Sequence, residues 1–127
     1  MATTVNYAST PRCGEGQVST ANTNRDGSGT LGNVFAAGAS GSRIDSVKIV
    51  ATGTTTAGVV RLFIYDGTNN RLLSERLVGA ITPSTTVEVY STEITYDNGL
   101  ILPANYILKA STNNAETFNL HAFGGDY

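Results

Sequence analysis

Cys13 and His121 are the only thiol and the only imidazole of the chain, and together they could act as a nucleophile and its general base. Such a pair needs hydrogen-bond contact and a third group that orients the imidazole. Cys13 lies in a segment without clear periodicity, and His121 alternates out of phase with the apolar side chains around it, Phe118, Leu120 and Ala122. Because the sequence marks no third group, we predict that this pair is not catalytic.

A second candidate is a calcium loop in residues 24–29. Asn24, Asp26 and Ser28 place oxygen atoms at alternate positions before Gly29, as the first half of a calcium-binding loop does. The glutamate that should close the loop is replaced by Phe35, and Asp26 is the only carboxylate in the set. The sequence therefore predicts a turn held by Asx-type hydrogen bonds, with no metal and no other cofactor.

Paired carboxylates are the third candidate, because two acids can hydrolyse a glycosidic bond. Glu88 could act with Glu93 or with Asp97. Glu88 points to the solvent side of an alternating segment, and Asp97 belongs to a predicted turn. We interpret these acids as solvated charges that discourage strand pairing. We therefore predict that the protein is not an enzyme.

Composition and charge limit the classes of partner. Only 14% of the 127 residues are charged, against about 25% in an ordinary soluble domain. The eight Lys and Arg residues are scattered, so the sequence lacks the basic patch of a nucleic-acid-binding protein. It also lacks the run of about 20 apolar residues that spans a bilayer, and its start is not a signal peptide. We expect neither a nucleic acid nor a membrane as a partner.

Short segments with alternating or continuous apolar residues, separated by Gly, Asn and Pro turns, predict an all-β fold. We expect about eight short antiparallel strands in a jelly-roll-like β-sandwich. Residues 17–127 form this single domain, and residues 1–16 form an extended N-terminal arm. The predicted strands cover residues 33–37, 43–52, 59–65, 71–78, 86–96, 100–102, 105–111 and 117–123, with a further short strand possible at 17–20.

Three details of this prediction can be checked in the structure. Residues 59–65 are apolar apart from Arg61, which predicts a central strand covered on both faces. In residues 43–52, Ile44 is expected on the face opposite to Val47 and Ile49. Residues 70–77 are the one place where a helix could compete with a strand.

Six tyrosines can serve the core or an interface, because the ring is apolar and the hydroxyl is polar. We assign Tyr65 and Tyr106 to the core. Interface residues are expected near the chain termini: Tyr7, Pro11, Arg12 and Tyr127. The single cysteine excludes an internal disulfide and fits synthesis in a reducing cytosol.

Several segments resemble a group of small structural proteins of tailed bacteriophages and prophages. The segments are TANTNRDGSG at residues 20–29, GSRI at 41–44, ATGTTTAG at 51–58, FIYDG at 63–67, LP at 102–103, ASTNNAE at 110–116 and GGD at 124–126. They span most of the chain from Thr20 onward. The predicted arm does not take part in the resemblance.

The resemblance implies a virion protein made in the cytoplasm of a bacterial host. Members of this group include capsid decoration, or cement, proteins that bind the outer capsid shell as oligomers, commonly trimers. The implied partners are the major capsid protein, or another virion protein, and further copies of the chain. The group offers no catalytic residues to carry over.

Two alternatives use the same fold. The protein could be a structural subunit of the tail, the neck or the base of a fibre. It could also be a glycan-binding β-sandwich module that uses exposed tyrosines and its loops rich in Asn and Asp.

Overall fold

The computed structural model describes residues 8–127, and these residues form eight β-strands and no helix. The strands are β1 (Thr10–Val18), β2 (Gly32–Ala36), β3 (Ser42–Ala51), β4 (Gly58–Tyr65), β5 (Asn70–Val78), β6 (Ser91–Leu102), β7 (Ile107–Thr112) and β8 (Phe118–Asp126). The strand predicted for residues 71–78 is therefore confirmed over the helix that could have competed at residues 70–77.

The strands form two four-stranded antiparallel sheets. Sheet I has the order β1-β8-β3-β6, and sheet II has the order β2-β7-β4-β5. Among these strands only β4 and β5 are consecutive in one sheet, joined by the predicted hairpin turn, in which the Asp66 N–H donates to the Asn69 carbonyl at 3.1 Å. The other connections pass from one sheet to the other. The predicted all-β sandwich of antiparallel strands is confirmed.

The core lies between the two sheets. Side chains that alternate along each strand point inward and are almost fully removed from water: Val47 and Ile49 of β3, Leu62 of β4, Leu108 of β7 and Leu120 of β8. Burial of each large aliphatic side chain contributes roughly 1.5–3 kcal/mol, so this layer is the main stabilising element.

The sandwich is closed at the edge where β1 and β2 meet, because β1 presents glycines there. A β-carbon added to Gly14 would lie 2.5 Å from the Val34 carbonyl oxygen, and one added to Gly16 would collide with the backbone of Asn33. Real β-carbons do not approach other atoms so closely, so only glycine lets the two edge strands pack backbone against backbone.

Strand β1 corrects the prediction of an arm. Residues 10–16 lie in this strand, which pairs with β8 from Thr10↔Asp126 to Val18↔Phe118. The strand was missed because its inward positions are glycines, so it shows no alternation of apolar and polar residues. Residues 1–7 lie outside the described part of the chain.

A bulge in β3 corrects the predicted face of Ile44. The pairing with β6 shifts between Ile44 and Ser46, which turns Ile44 toward the core together with Val47. On β6 this change of register falls at residues 96–99, which include the predicted turn at residues 97–99. These residues therefore lie inside one long strand and do not separate two strands. Gly99 has a φ of 76° there, a conformation that favours glycine.

The strand predicted for residues 86–96 begins only at Ser91. Residues 84–87 instead form a tight turn in which the Ser84 N–H donates to the Val87 carbonyl at 2.9 Å. The alternation of Val87 and Val89 was misleading, because Val87 is exposed in this turn. Tertiary context has overridden the local pattern here.

The outer face of sheet II is partly covered by residues 19–31. On this face Phe63 and Arg61 are 0% and 2% exposed although both point away from the core, and Arg61 contacts the covering segment. The Arg61 guanidinium donates to Glu75 at 2.8 Å and to the Asn22 carbonyl at 3.2 Å. The central position and two-sided covering predicted for β4 are confirmed. The outer face of sheet I has no comparable cover among residues 8–127.

Candidate functional site

The uncovered outer side of sheet I, named here the open face, is formed by the side chains that alternate with the core positions. The strand register places them in rows that cross β1, β8, β3 and β6 in that order. One row contains Cys13, Phe123, Ser46 and Thr95, and the next toward Val18 contains Glu15, His121, Lys48 and Glu93. The open face therefore has an apolar end and a polar end.

The apolar end displays large side chains that a soluble surface seldom groups together. Phe123 is 41% exposed and Ile101 is 50% exposed, and Pro11 and Cys13 on β1 are exposed beside Phe123. Between Pro11 and Ile101, the register places Gly125 on β8 and Arg43 on β3. Gly124, which directly follows the protruding Phe123 on β8, has no side chain.

A hollow of about 310 Å³ lies beside Gly124. Its lining consists of Ala8, Pro11, Arg43, Asp45 and Gly124. Its rim carries both signs of charge, because Arg43 Nε donates to Asp45 Oδ1 at 2.9 Å. That hydrogen bond is the main cause that holds the pKa of Arg43 above its ordinary value, and the side chain of Tyr127 contributes to the same effect. The hollow is thus mostly apolar with one charged rim.

The polar end is a second depression of about 360 Å³ on β1 and β8. Its lining consists of Glu15, Gly16, Gln17, Asn119 and His121. Gln17 Nε2 donates to Asn119 Oδ1 at 2.8 Å. This group offers several hydrogen-bond donors and acceptors to a polar ligand.

The structure brings Cys13 and His121 onto the same face without joining them. Cys13 is opposite Phe123 in the strand register, whereas His121 is opposite Glu15. The Cys13 thiol donates to the Gly14 carbonyl at 3.5 Å. The two side chains are therefore diagonal neighbours, and the nucleophile–base contact described above is not formed.

Residues 24–29 form the predicted turn. The Ser28 N–H and hydroxyl both donate to Asp26 Oδ1, at 3.0 and 2.6 Å. These two bonds, the hydroxyl first, lower the pKa of Asp26. Asn22 donates through Nδ2 to the carbonyls of Ser28 and Thr30, which ties the turn to the chain around it. In the described part of the chain, no three His, Cys, Asp or Glu residues cluster as a metal site would require.

The predicted interface residues have different surroundings. Pro11 lines the hollow, and Tyr127 is half-buried close to Arg43. Arg12 points the other way, toward the edge between the sheets, where it binds Asp126 at 2.9 Å and lies over the Phe35 ring at 3.9 Å. Tyr7 lies outside the described residues.

The tyrosines predicted for the core are placed differently from each other. Tyr106 packs against the core as predicted. The prediction for Tyr65 is wrong, because this residue lies on the outer face of sheet II, with the Lys109 ammonium 4.2 Å from its ring. Tyr65 lies three positions after the inward-pointing Leu62 on β4, and strand alternation over an odd number of positions turns it outward.

The predicted carboxylates are dispersed. Glu93 lies on the open face opposite Lys48, Asp97 is exposed on the outer strand β6, and Glu88 lines a groove of about 430 Å³ formed by residues 83–91 and β3. Sequence reasoning missed Phe123, Arg43 and Ile101. The available signal was Phe123 itself, an aromatic residue out of phase with the buried Leu120 and Ala122.

Within residues 8–127 there is no helix with the length and hydropathy needed to cross a bilayer. The chain matches no protein-family model, and no curated protein shows significant similarity to it.

Proposed function

We propose that the protein is a virion structural protein that decorates the outer surface of a bacteriophage capsid as an oligomer, most simply a trimer, and stabilises the shell. The observation that carries the proposal is the open face of sheet I, where the exposed Phe123 stands beside the hollow lined by Pro11 and Arg43. An exposed aromatic anchor next to a concave, partly apolar site is typical of surfaces that bind other proteins.

The connectivity supports the same proposal. Strand order 1-8-3-6 opposite 2-7-4-5, with repeated crossing between the sheets, is compatible with the jelly-roll arrangement that we propose for this sandwich. This is the fold that the resemblance to phage structural proteins implies. A sandwich whose outer sheet I face is left open by residues 8–127 can present that face to another protein while its core remains intact.

Reconstitution with capsids tests this proposal. Purified protein is added to particles of the encoding phage that lack it, and the number of copies bound at saturation is measured after sedimentation. We expect saturation at a number set by the capsid lattice, and a rise in the temperature at which the particles release DNA. Failure to bind particles at any concentration would contradict the proposal, and binding of a few copies would favour the tail, neck or fibre alternative.

The polar end of the open face favours one further candidate, glycan binding. Glu15, Gln17, Asn119 and His121 offer donors and acceptors close to the exposed Phe123, and sugars present hydroxyls beside apolar C–H surfaces. A glycan array read with the wild type and with Glu15→Ala tests it. Binding to a defined sugar that the substitution abolishes would support this candidate, and an empty array would count against it.

A further inference from the structure

The apolar end of the open face contains a protruding side chain and a hollow side by side. Phe123 is followed directly on β8 by Gly124, which lines the hollow, so the Cα atom that carries the ring is about 3.8 Å from that lining residue. Phe123 does not line the hollow, which is bordered instead by Ala8, Pro11 and Gly124 and by the Arg43–Asp45 pair. One copy of the chain thus has an aromatic knob and, next to it, a concave site that its own knob does not fill.

We propose that the hollow receives Phe123 of a second copy of this chain, so that copies associate with each other through the apolar end of the open face. The inference deepens the proposed function, on which it rests for the biological role of the oligomer. Because the knob and the hollow are adjacent on one surface, each copy can give a knob and accept one. A closed ring of three makes one such contact at each interface, and a pair makes two.

The charges at the rim are complementary to those of a second copy. Arg43 and Asp45 lie next to each other, and their side chains are 27% and 60% exposed. When two such rims meet, the Arg43 of one copy can approach the Asp45 of the other. The same guanidinium can also lie over the face of the inserted Phe123 ring, which adds a cation–π attraction.

The area of the open face limits how much surface two copies can bury against each other. Four strands about 4.8 Å apart and about 30 Å long present on the order of 450 Å². A standard interface buries about 800 Å² on each partner. The contact is therefore smaller than that of a permanent oligomer, and we expect association in the micromolar range that assembly on a regular lattice would strengthen.

Analytical ultracentrifugation of the full chain from 1 to 200 μM tests the inference. The wild type should show concentration-dependent association to dimers or trimers. Phe123→Ser should weaken it at least tenfold, as should Ala8→Leu, which fills the hollow while leaving the knob in place. Leu77→Ser is the matched control, because Leu77 is 79% exposed on β5, at the edge of the other sheet, and its loss should change nothing.

Mixing the two variants distinguishes this specific contact from non-specific association. Phe123→Ser retains a hollow, and Ala8→Leu retains a knob, so the mixture should associate more strongly than either variant alone. Cys13, the single cysteine, lies opposite Phe123 in the register and provides a second readout. A thiol-specific bifunctional crosslinker should join two copies in the wild type and in Leu77→Ser, and much less in Phe123→Ser.

Two results would overturn the inference: a wild type that stays monomeric at 200 μM, or a Phe123→Ser variant that associates like the wild type. Circular dichroism of each variant confirms that it remains folded. A protein that stays monomeric in solution and nevertheless saturates capsids would contradict this inference without contradicting capsid decoration. A protein that associates through Phe123 but never binds particles would support this inference and contradict the proposed function.

Discussion

Individual glycines decide whether the two sheets can close at the β1–β2 edge. Gly14 and Gly16 occupy inward positions of β1 where any β-carbon meets backbone atoms of β2. Because these glycines have no side chains, β1 and β2 approach each other without an intervening side-chain layer, although they belong to different sheets.

Gly14→Ala should destabilise the protein by about 1–3 kcal/mol, because its β-carbon would lie 2.6 Å from Phe35 Cδ2 and the strands would have to separate. Urea unfolding measures the change. Gly53→Ala is the control, since no atom lies within 4 Å of its β-carbon, and it should shift the free energy of unfolding by no more than about 0.5 kcal/mol. Equal effects at the two positions would show that the close approach is not the cause.

Asp126 links β8 to the same edge. Hydrogen bonds from Arg12, and then from Ser42, lower the pKa of its carboxyl from 3.8. Because the folded state favours the charged form, this stabilisation is present above the pKa of the unfolded chain and is lost as the pH falls through the lower folded value.

Asp126→Asn should therefore cost a few tenths to about 1 kcal/mol at pH 7, and the difference from wild type should shrink as the pH falls below 3.8. Urea unfolding between pH 2.5 and 7 checks this, with the exposed Asp97→Asn as the control. A deficit that persists unchanged at pH 2.5 would mean that the charge of Asp126 is not what stabilises the edge.

At the scale of elements, residues 19–31 are held onto sheet II by an ion network. Glu75 accepts from Arg25 and from the buried Arg61, both at 2.8 Å, and these bonds lower the pKa of its carboxyl. A buried charge that loses its partner is costly, whereas removal of the charge itself can be nearly neutral. The two partners of this pair should therefore respond unequally to substitution.

Glu75→Gln should destabilise the protein more than Arg61→Met. The first substitution leaves a guanidinium buried without its carboxylate, and the second leaves Glu75 still paired with Arg25. Chemical denaturation ranks the two, and hydrogen exchange at Ala21 and Asn22 reports whether the covering segment opens. Arg25→Ala, at an exposed ion pair, should cost only a few tenths of a kcal/mol. A larger loss for Arg61→Met than for Glu75→Gln would contradict this account.

The elements that the sequence predicted well are those whose apolar pattern is local. Strand β4 and its hairpin with β5 follow from a continuous apolar run and an Asp-Gly turn. Strand β1 could not be recognised, because its glycines are explained only by the backbone of β2, which is distant in sequence. The bulge in β3 was equally hidden, since it depends on pairing with β6 and β8.

The candidate site was less predictable than the fold, for a related reason. Pro11 and Tyr127 were expected at an interface and do lie near the hollow, but the hollow itself depends on the register of β1, β8 and β3. On β8, Phe123 is out of step with the alternation of the buried Leu120 and Ala122, and this was the only sequence signal that its side chain is exposed. Arg12, in contrast, is engaged with Asp126 within the chain.

For the whole molecule, the pairing of β1 with β8 joins the two ends of the described chain. Removal of residues 1–7 leaves every strand pairing described above intact. Removal of residues 1–12 also deletes the Arg12–Asp126 contact and three paired positions of β1, and should lower stability clearly. Thermal unfolding of both truncations checks this, and equal stability would contradict the role given to β1.

The central claim is that the protein acts as a repeated structural subunit on a virion. Quantitative mass spectrometry of gradient-purified particles of the encoding phage tests it most directly. The account predicts a copy number comparable to that of the major capsid protein. A few copies per particle would contradict capsid decoration and place the protein in the neck, tail or fibre, and complete absence from particles would contradict a virion role altogether.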